Sequence, residues 1–358
     1  MRALVTGGNG LIGANLVRTL IREGHEVRPL VRAGADLSSL DGVPVTPQVG
    51  DVLNTQSIRD AADGCDVVFH TAVPYVYGAE VDADLVEVAV TGTANVLSAA
   101  AASGSRRVVV TSSSVVFGYR MTPEVVDTSG GLTDGHDQPV YVAAKIHQDR
   151  AAVERGARLG IDVVLVCPTV CVGPHATRLG PSNAMIVQVL VDPVGVTYQG
   201  GGNVVAVQDV ARGHLLAATH GRPGQRYLLG GENLTWEQVH NTVAELAGLP
   251  HRGVRLNHTL AYLAAGAEEL RARLAGRPAV TSREQSSMVG RYYWYRHDQA
   301  TQLGYTPRPA RRALAEALAW LVASRHVSRE TRTRLHLHAD VFAARRALEA
   351  AERELVNA

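Results

Sequence analysis

The sequence predicts an α/β protein built on a doubly wound parallel sheet, with a smaller C-terminal lobe. Short β-branched runs alternate with longer amphipathic segments in the first half of the chain, a pattern typical of parallel strands joined by helices. The runs are nearly continuous in Val, Ile and Leu, as expected for strands buried on both faces. A glycine-rich turn directly follows the first run. Together these observations indicate a Rossmann-like sheet.

The predicted elements follow one another in a regular order. Strands are expected at residues 2–6, 26–31, 44–49, 65–70, 106–111 and 161–167. Helices are expected at about residues 11–23, 81–102 and 140–159. Residues 1–172 therefore form the predicted dinucleotide-binding domain, whose sheet is completed by about residues 203–230.

After Pro168 the alternation breaks down. Residues 173–325 begin with a stretch rich in Gly and Pro and are expected to form a smaller substrate-binding lobe, interleaved with the sheet. Residues 326–358 are expected to be a helical tail with one apolar stripe, formed by Val341, Ala344, Leu348, Ala351 and Leu355. The stripe is explained either by packing on its own domain or by a homodimer contact.

Composition excludes several classes of protein. The 358 residues are 46% hydrophobic and 19% charged, which excludes a disordered chain. Lys plus Arg number 35 and Asp plus Glu 34, and aromatic residues make up only 5%, so neither a nucleic acid nor a membrane is expected as a partner. No run approaches the ~18 apolar residues of a membrane span, and the N-terminus has no secretory signal pattern. A cytoplasmic location is expected.

The three cysteines carry no evident chemistry. Cys65, Cys167 and Cys171 are odd in number and lack the second ligand pair of a zinc site. We expect buried structural thiols and no metal site.

The turn TGGNGLIG at residues 6–13 is the predicted phosphate site. Gly7, Gly10 and Gly13 follow a strand and open a helix. Glycine permits unusual backbone angles there, and the missing Cβ lets a pyrophosphate approach the chain. The helix N-terminus presents free N–H groups to that anion. The turn therefore predicts a bound dinucleotide.

The end of the second strand bears on the choice of coenzyme. NAD-binding folds usually place an acidic residue there, but this chain has Arg32 and no carboxylate until Asp36. A guanidinium pairs well with the 2′-phosphate of NADP. NADP(H) is therefore favoured and NAD(H) remains possible, while a solvated arginine is the alternative reading of Arg32. Asp51, after the third strand, is expected to accept a hydrogen bond from adenine or to cap the next helix.

Tyr141 and Lys145 are candidate catalytic residues. A spacing of four places both on one face of the predicted helix, so that the ammonium lies beside the phenol. An unperturbed tyrosine titrates near ~10, and a neighbouring cation brings the phenol closer to the working pH. The fifth strand ends in Thr111 and three serines, 112–114, at the same sheet edge. A serine there is suited to hydrogen-bond a substrate carbonyl.

These motifs resemble those of the extended short-chain dehydrogenases/reductases of the epimerase/dehydratase superfamily. The resemblance rests on TGGNGLIG, GDV at 50–52, HTAV at 70–73, VTSSSVVFG at 110–118, YVAAK at 141–145 and CPTVCVGP at 167–174, and extends over about residues 1–325. Arg32 and the stretch at 203–239 are most similar to the dihydroflavonol-reductase-like branch.

The resemblance implies a role for each matching residue. Tyr141 is the implied general acid/base, Lys145 its partner and ribose anchor, and Ser113 the serine that polarises the carbonyl, with Ser112 and Ser114 as neighbours in register. Asp209 is an implied structural bridge between the lobes. The implied coenzyme contacts are Gly7, Gly10, Leu11, Ile12, Gly13, Arg32, Asp51, Val52, Thr71, Ala72, Val73, Thr111, Tyr141, Lys145, Pro168, Thr169 and Val170.

Two departures from the family pattern bear on the substrate. Ala89 stands where many members have Asn, and Cys167-Pro168 replaces a common Arg-Pro pair. Both weaken a nucleotide-sugar interpretation. The leading hypothesis is therefore an NADPH-dependent ketone or aldehyde reductase, or an alcohol dehydrogenase in reverse, acting on a small and fairly apolar molecule. The alternatives are a sugar epimerase or dehydratase and a non-catalytic NADP-binding sensor or scaffold.

Overall fold

The computed structural model describes residues 1–72, 85–131, 139–251, 253–274, 283–286 and 288–356. Its strands are β1 (Arg2–Thr6), β2 (Glu26–Val31), β3 (Gln48–Val49), β4 (Val67–His70), β5 (Arg107–Thr111), β6 (Asp162–Pro168), β7 (Val170–Val172), β8 (Val196–Tyr198), β9 (Gly201–Ala206), β10 (Arg226–Leu229), β11 (Glu232–Thr235), β12 (Val254–Leu256) and β13 (Tyr292–Tyr293). Its helices are α1 (Leu11–Arg22), α2 (Thr55–Ala62), α3 (Leu85–Ala102), α4 (Val140–Leu159), α5 (Pro181–Val191), α6 (Val207–His220), α7 (Trp236–Ala247), α8 (His258–Leu274), α9 (Arg283–Ser286), α10 (Asp298–Thr301), α11 (Ala310–Ala323), α12 (Arg329–Thr333) and α13 (Ala339–Val356).

The main sheet has seven parallel strands in the order β10-β6-β5-β4-β1-β2-β3. The predicted α/β fold class is confirmed. Strand order reverses between β1 and β4, which are neighbours in the sheet although two strands separate them in sequence. In open parallel sheets, ligands bind in the crevice outside such a reversal.

The third strand is much shorter than the six residues predicted for 44–49. β3 contains only Gln48 and Val49, both exposed at the edge of the sheet. Pro44 and Pro47 precede it, and proline has no N–H to donate to a neighbouring strand. The two prolines explain why pairing begins only at Gln48.

Helices cover both faces of the main sheet. Ala3 and Val5 of β1 lie in the apolar core beneath α1 and α6, whereas Leu4 lies in the core beneath α2 and α3. Successive side chains of a strand point to opposite faces, so an uninterrupted apolar run supplies both cores. Helix α3 is long and apolar enough to cross a membrane, but it packs between α2 and α4 as a core helix of this layer.

The smaller lobe is built around a second sheet. Its strands run in the order β11-β9-β13, β7 also pairs with β9, and β12 and β8 form a separate pair. Helices α5, α7 and α11 share one apolar core against it. The carboxylate of Asp209 in α6 accepts hydrogen bonds from the Arg308 guanidinium at 2.8 Å and 3.0 Å, which ties the start of α11 to the main domain.

The tail from residue 326 is helical only in part. A non-helical stretch separates α12 from α13, and there the backbone N–H groups of His336 and His338 donate to the carbonyls of Ala247 and Leu246 at the end of α7. Helix α13 packs on α11 and α1. Three residues of its apolar stripe, Val341, Ala344 and Leu355, are buried within the chain, and the other two, Leu348 and Ala351, are half-buried.

A buried charge anchors this tail to α1. The Arg18 guanidinium contacts the Glu352 carboxylate of α13 at 3.1 Å and donates to the carbonyls of Ser39 and Asp41. The imidazole of His175 lies 3.3 Å from the same carboxylate. We call Arg18, Glu352 and His175 the tail cluster.

Candidate active site

The residues implied as coenzyme contacts collect at the carboxyl edge of the main sheet. The glycine turn follows β1, Arg32 follows β2, and Asp51 lies just beyond β3. Thr71 and Ala72 follow β4, at the reversal of strand order. Val73 lies outside the described residues.

Each glycine of the turn has its own reason to be glycine. Gly7 has φ +67° and lies against Ala72, whose Cα would be 2.9 Å from an added Cβ. At Gly13 an added Cβ would lie 2.1 Å from the Gly7 carbonyl oxygen. Gly10 differs, because its φ is −77° and the nearest atom would be 3.3 Å away. The protein nearly accommodates a side chain at Gly10, so a ligand close to the backbone gives the best physical reason for glycine there.

The N-terminus of α1 is suited to hold an anion. Gly10 is its N-cap and supplies no capping side chain, and the first turn contains no acidic residue. The first N–H groups therefore have no intrahelical partner, and the helix dipole adds positive potential. Leu11 and Ile12, both half-buried, form this first turn. The arrangement fits the pyrophosphate of a dinucleotide.

The adenosine side has one exposed cation and one engaged carboxylate. Arg32 is exposed and forms no ion pair with any residue that the structure describes. Asp36 instead accepts hydrogen bonds from Ser38 and from the Arg325 guanidinium at 2.6 Å, and these contacts lower its pKa to about 2. The first carboxylate after β2 is thus bound within the protein, while Arg32 remains accessible.

Asp51 does not cap the following helix. Asn54 is the N-cap of α2, and its side chain accepts from the N–H groups of Gln56 and Ser57. The alternative prediction for Asp51 is therefore wrong, because the helix begins three residues later than a cap at Asp51 requires. One Asp51 carboxylate oxygen accepts from the Leu53 N–H, and the half-buried side chain lies beside Val52 at the sheet edge.

Lys145 is buried at the centre of the candidate site. Its Nζ donates to the Thr111 carbonyl at 2.9 Å and to Gln148 Oε1 at 3.0 Å, and it lies 5.9 Å from the centroid of the Tyr141 ring. Burial lowers the pKa of Lys145 to about 8, against the opposing effects of the Asp149 carboxyl and the Cys167 thiol. The ammonium therefore loses its proton far more readily than a surface lysine does.

Tyr141 lies one helical turn before Lys145 and is 5% exposed. It belongs to an apolar cluster with Leu85, Ala89 and Ala144, and Val115 packs against that cluster. Val115 is two residues beyond Ser113, in the short 3-10 turn Ser114–Phe117. The helix with the tyrosine and the turn after the serine thus converge.

The three serines after β5 face different surroundings. Ser112 lies beside the Asp149 carboxyl and the Cys167 thiol, and Ser114 beside the Tyr295 phenol. Ser113 is the N-cap of the 3-10 turn, and among the described residues its Oγ has a long contact of 3.5 Å from the Val115 N–H. The Ser112 Oγ has no hydrogen-bond partner there either, but Ser113 is the most exposed of the three serines, which favours it as the serine available to a substrate.

The remaining implied contacts lie beyond β5 and β6. The Thr111 hydroxyl is hydrogen-bonded to His214 Nε2 at 2.9 Å, so its carbonyl rather than its hydroxyl reaches the lysine. The Thr169 hydroxyl donates to Asn203 Oδ1 at 2.8 Å. Pro168 ends β6 and Val170 begins β7 at the same edge.

The amino-acid composition contains one further signal for this site, which the motifs do not show. Of the 35 Lys plus Arg residues, 34 are arginine, and Lys145 is the single lysine of the chain. Arginine supplies a permanent positive charge at the protein surface. Lysine supplies a compact ammonium whose pKa shifts when it is buried. A single lysine that is also buried in the candidate site points to a chemical requirement for lysine at position 145.

Comparisons with known proteins match one family model and several relatives to this chain. A family model described as the NAD-dependent epimerase/dehydratase family matches residues 3–230. A protein of Synechocystis sp., provisionally named a dihydroflavonol 4-reductase, is 32% identical over 88% of this chain and 93% of its own length. Cinnamoyl-CoA reductase 1 of Oryza sativa subsp. japonica is 33% identical over 68% of this chain and 75% of its own.

A solved structure agrees over nearly the whole fold. The crystal structure of gox2253 superposes with a TM-score of 0.78 at 29% sequence identity, covering 91% of this chain and 99% of that one. The similarity therefore includes the smaller lobe as well as the main sheet.

Proposed function

The chain belongs to the NAD-dependent epimerase/dehydratase family, and we propose that it is an NADPH-dependent reductase of a ketone or aldehyde on a small, fairly apolar molecule. As a family member it is an NAD(P)-dependent oxidoreductase with a reductase-like sequence. The observation that carries the proposal is the buried Lys145 ammonium, held one helical turn from Tyr141 at the carboxyl edge of the sheet. A cytoplasmic location is part of the proposal.

The surroundings of Tyr141 support an apolar substrate. Among the described residues, Tyr141 shares an apolar cluster with Leu85 and Ala89, Val115 packs against it, and these three side chains offer no hydrogen bond to a sugar hydroxyl. Ala89, 1% exposed, is the position where sugar-nucleotide members often carry Asn. Two relatives named as reductases favour carbonyl reduction over epimerisation.

In this mechanism each residue has one task. A bound nicotinamide coenzyme supplies the hydride. The Ser113 hydroxyl donates a hydrogen bond to the substrate carbonyl oxygen, and Tyr141 donates the proton that this oxygen takes up. The Lys145 cation favours the phenolate that remains on Tyr141. The N-terminus of α1, with Gly10, holds the coenzyme pyrophosphate.

The direct test removes one oxygen atom. Tyr141→Phe is expected to retain coenzyme binding and melting temperature while turnover falls by about 10²–10⁴-fold, because the proton donor is lost. Stopped-flow oxidation of NADPH with a panel of apolar ketones and aldehydes measures this. Tyr198→Phe, which alters a phenol in the smaller lobe, is the matched control. Unchanged turnover in Tyr141→Phe would overturn the mechanism.

The preference for NADP(H) rests on Arg32. Arg32→Ala is expected to weaken NADPH binding by at least about tenfold and to leave NADH binding nearly unchanged, since only NADPH carries the 2′-phosphate that a guanidinium pairs with. Titration of both coenzymes by fluorescence, with Arg59→Ala as an exposed control, measures the ratio. Equal losses for the two coenzymes would exclude the assignment.

The two alternatives give different results in the same assays. A sugar epimerase or dehydratase would be purified with coenzyme already bound and would act without added NADPH. A sensor or scaffold would bind NADPH and oxidise none of it with any carbonyl of the panel.

A further inference from the structure

A chain of buried side chains leads from Lys145 away from Tyr141. Gln148 Nε2 lies 3.2 Å from the Thr93 hydroxyl, that hydroxyl lies 3.1 Å from His70 Nε2, and His70 Nδ1 lies 2.9 Å from the Thr6 hydroxyl. Gln148, Thr93, His70 and Thr6 are all fully buried. The chain crosses from α4 through α3 and β4 to β1, the strand that leads into the glycine turn.

The charge of the lysine fixes the orientation of this chain at its first two links. An ammonium only donates hydrogen bonds, so the Gln148 oxygen must face Lys145. The Gln148 amide nitrogen then faces α3 and donates to the Thr93 hydroxyl. Gln148 thus holds one orientation because it is bonded at both ends.

Gln148 differs from the other groups around the ammonium, because its side chain accepts a hydrogen bond from Nζ. The Asp149 carboxyl on α4 is buried and paired with Arg226 at 2.9 Å, and burial raises its pKa. Burial also raises the pKa of the Cys167 thiol on β6, and it lowers the pKa of His70 on β4 to about 3, so that both stay neutral. Within the described residues, Gln148 is the side chain that accepts a hydrogen bond from Nζ.

We infer that Gln148 is a positioning residue, which holds the Lys145 ammonium beside Tyr141 and is itself held by Thr93 and His70. Among the described residues, the Thr111 carbonyl and Gln148 accept from two of the three ammonium N–H groups, and Nζ lies 5.9 Å from the centroid of the Tyr141 ring. The reaction that this placement serves is the one proposed above, and the inference rests on it to that extent.

The single lysine makes the inference directly measurable. Protein labelled with [ε-13C]lysine, prepared without a lysine-containing tag, gives one side-chain signal in the intact chain. The pH dependence of that signal reports the pKa of Lys145 without any substrate.

Three variants separate positioning from simple packing. Gln148→Leu removes the acceptor and is expected to lower the pKa of Lys145 by about one unit, because a hydrogen bond to the charged form is lost. Gln148→Glu places a carboxylate there and is expected to raise it by at least one unit. Thr93→Val keeps Gln148 but removes the hydroxyl that accepts from its amide nitrogen, and we expect a smaller decrease in the pKa of Lys145. Gln56→Leu, at an exposed glutamine of α2, is the control.

The kinetic readout is a separate measurement. Gln148→Leu is expected to reduce turnover by about tenfold to a hundredfold while the KM for NADPH changes less than threefold. Lys145 pKa values that agree within 0.3 unit in folded Gln148→Leu, Gln148→Glu and Thr93→Val would overturn the inference. If the NMR shifts appear but Tyr141→Phe keeps full turnover, the proposed function fails and the positioning of Lys145 stands. If Gln148→Leu does not fold, Gln148→Glu and Thr93→Val decide the outcome.

Discussion

Two buried cations in this molecule, Lys145 and Arg18, have different hydrogen-bond partners. Lys145 is surrounded by neutral acceptors, a carbonyl and an amide, and burial lowers its pKa to about 8. Arg18 in the tail cluster is paired with the carboxylate of Glu352. The contacts of this carboxylate with His175 and Arg18 lower its pKa to about 2, although it is partly buried. Burial lowers the pKa of both cations, but Arg18 is a guanidinium paired with a carboxylate and keeps its charge, whereas the Lys145 ammonium has only neutral hydrogen-bond acceptors among the described residues.

The difference separates a site of chemistry from a site of assembly. The Lys145 ammonium favours the Tyr141 phenolate in the proposed reaction, but its burial costs folding free energy. A guanidinium does not lose its proton in a protein, and with a partly exposed carboxylate it joins α1 to α13. We therefore expect changes near Lys145 to affect turnover and changes in the tail cluster to affect stability.

The largest expected effect comes from Lys145→Met, which keeps the length of the side chain and removes its charge. Turnover is expected to fall by about 10²–10⁴-fold, because no cation remains to favour the Tyr141 phenolate. Stability is expected to stay the same or to rise, since a buried charge is removed. Parallel NADPH-oxidation and chemical-denaturation measurements check both. A loss of stability with little change in turnover would reverse the comparison.

Glu352→Gln gives the second effect and leaves the Arg18 guanidinium without its anion. We expect the free energy of unfolding to fall by about 1–3 kcal/mol, with turnover per folded molecule unchanged. Glu349→Gln breaks an exposed pair with Arg345 on the same helix and should stay within about 0.5 kcal/mol. Equal losses in the two variants would show that the tail cluster contributes no more than a surface pair.

The smallest effect is the pH dependence of the same contact. The folded-state pKa of Glu352 lies below its unfolded value, so its contribution is complete above about pH 4.5 and is lost as the pH falls towards about 2. The stability difference between the natural chain and Glu352→Gln should therefore shrink as the pH falls from about 4.5 towards about 2, while at higher pH it also includes the protonation of His175, which lies 3.3 Å from the same carboxylate. Urea unfolding at a series of pH values measures it. A difference that grows on acidification below about pH 4.5 would assign the effect to another group.

The main sheet was predictable because its strands are covered on both faces. In the run at Arg2–Thr6 three consecutive apolar residues, Ala3, Leu4 and Val5, are buried on alternating faces, and such a run stands out in a sequence. The glycine turn was also predictable from the sequence, because Gly7 and Gly13 each meet a local steric requirement that only glycine satisfies. The order of the candidate catalytic motifs, with the serines at 112–114 before Tyr141 and Lys145, could also be read from the sequence.

Contacts that join distant parts of the chain were not predictable. Thr93 and Gln148 come from two helices, and their hydrogen bond depends on how α3 packs against α4. The link from Arg18 to Glu352 spans almost the entire sequence. The prolines at 44 and 47, by contrast, were visible signals that should have shortened the third strand.

The single, buried lysine has a practical consequence for handling the protein. Lys145 is 4% exposed, so these 358 residues offer no exposed lysine side chain. Reagents that acylate amines, such as succinimidyl esters, should therefore leave the side chains of the folded protein almost unmodified.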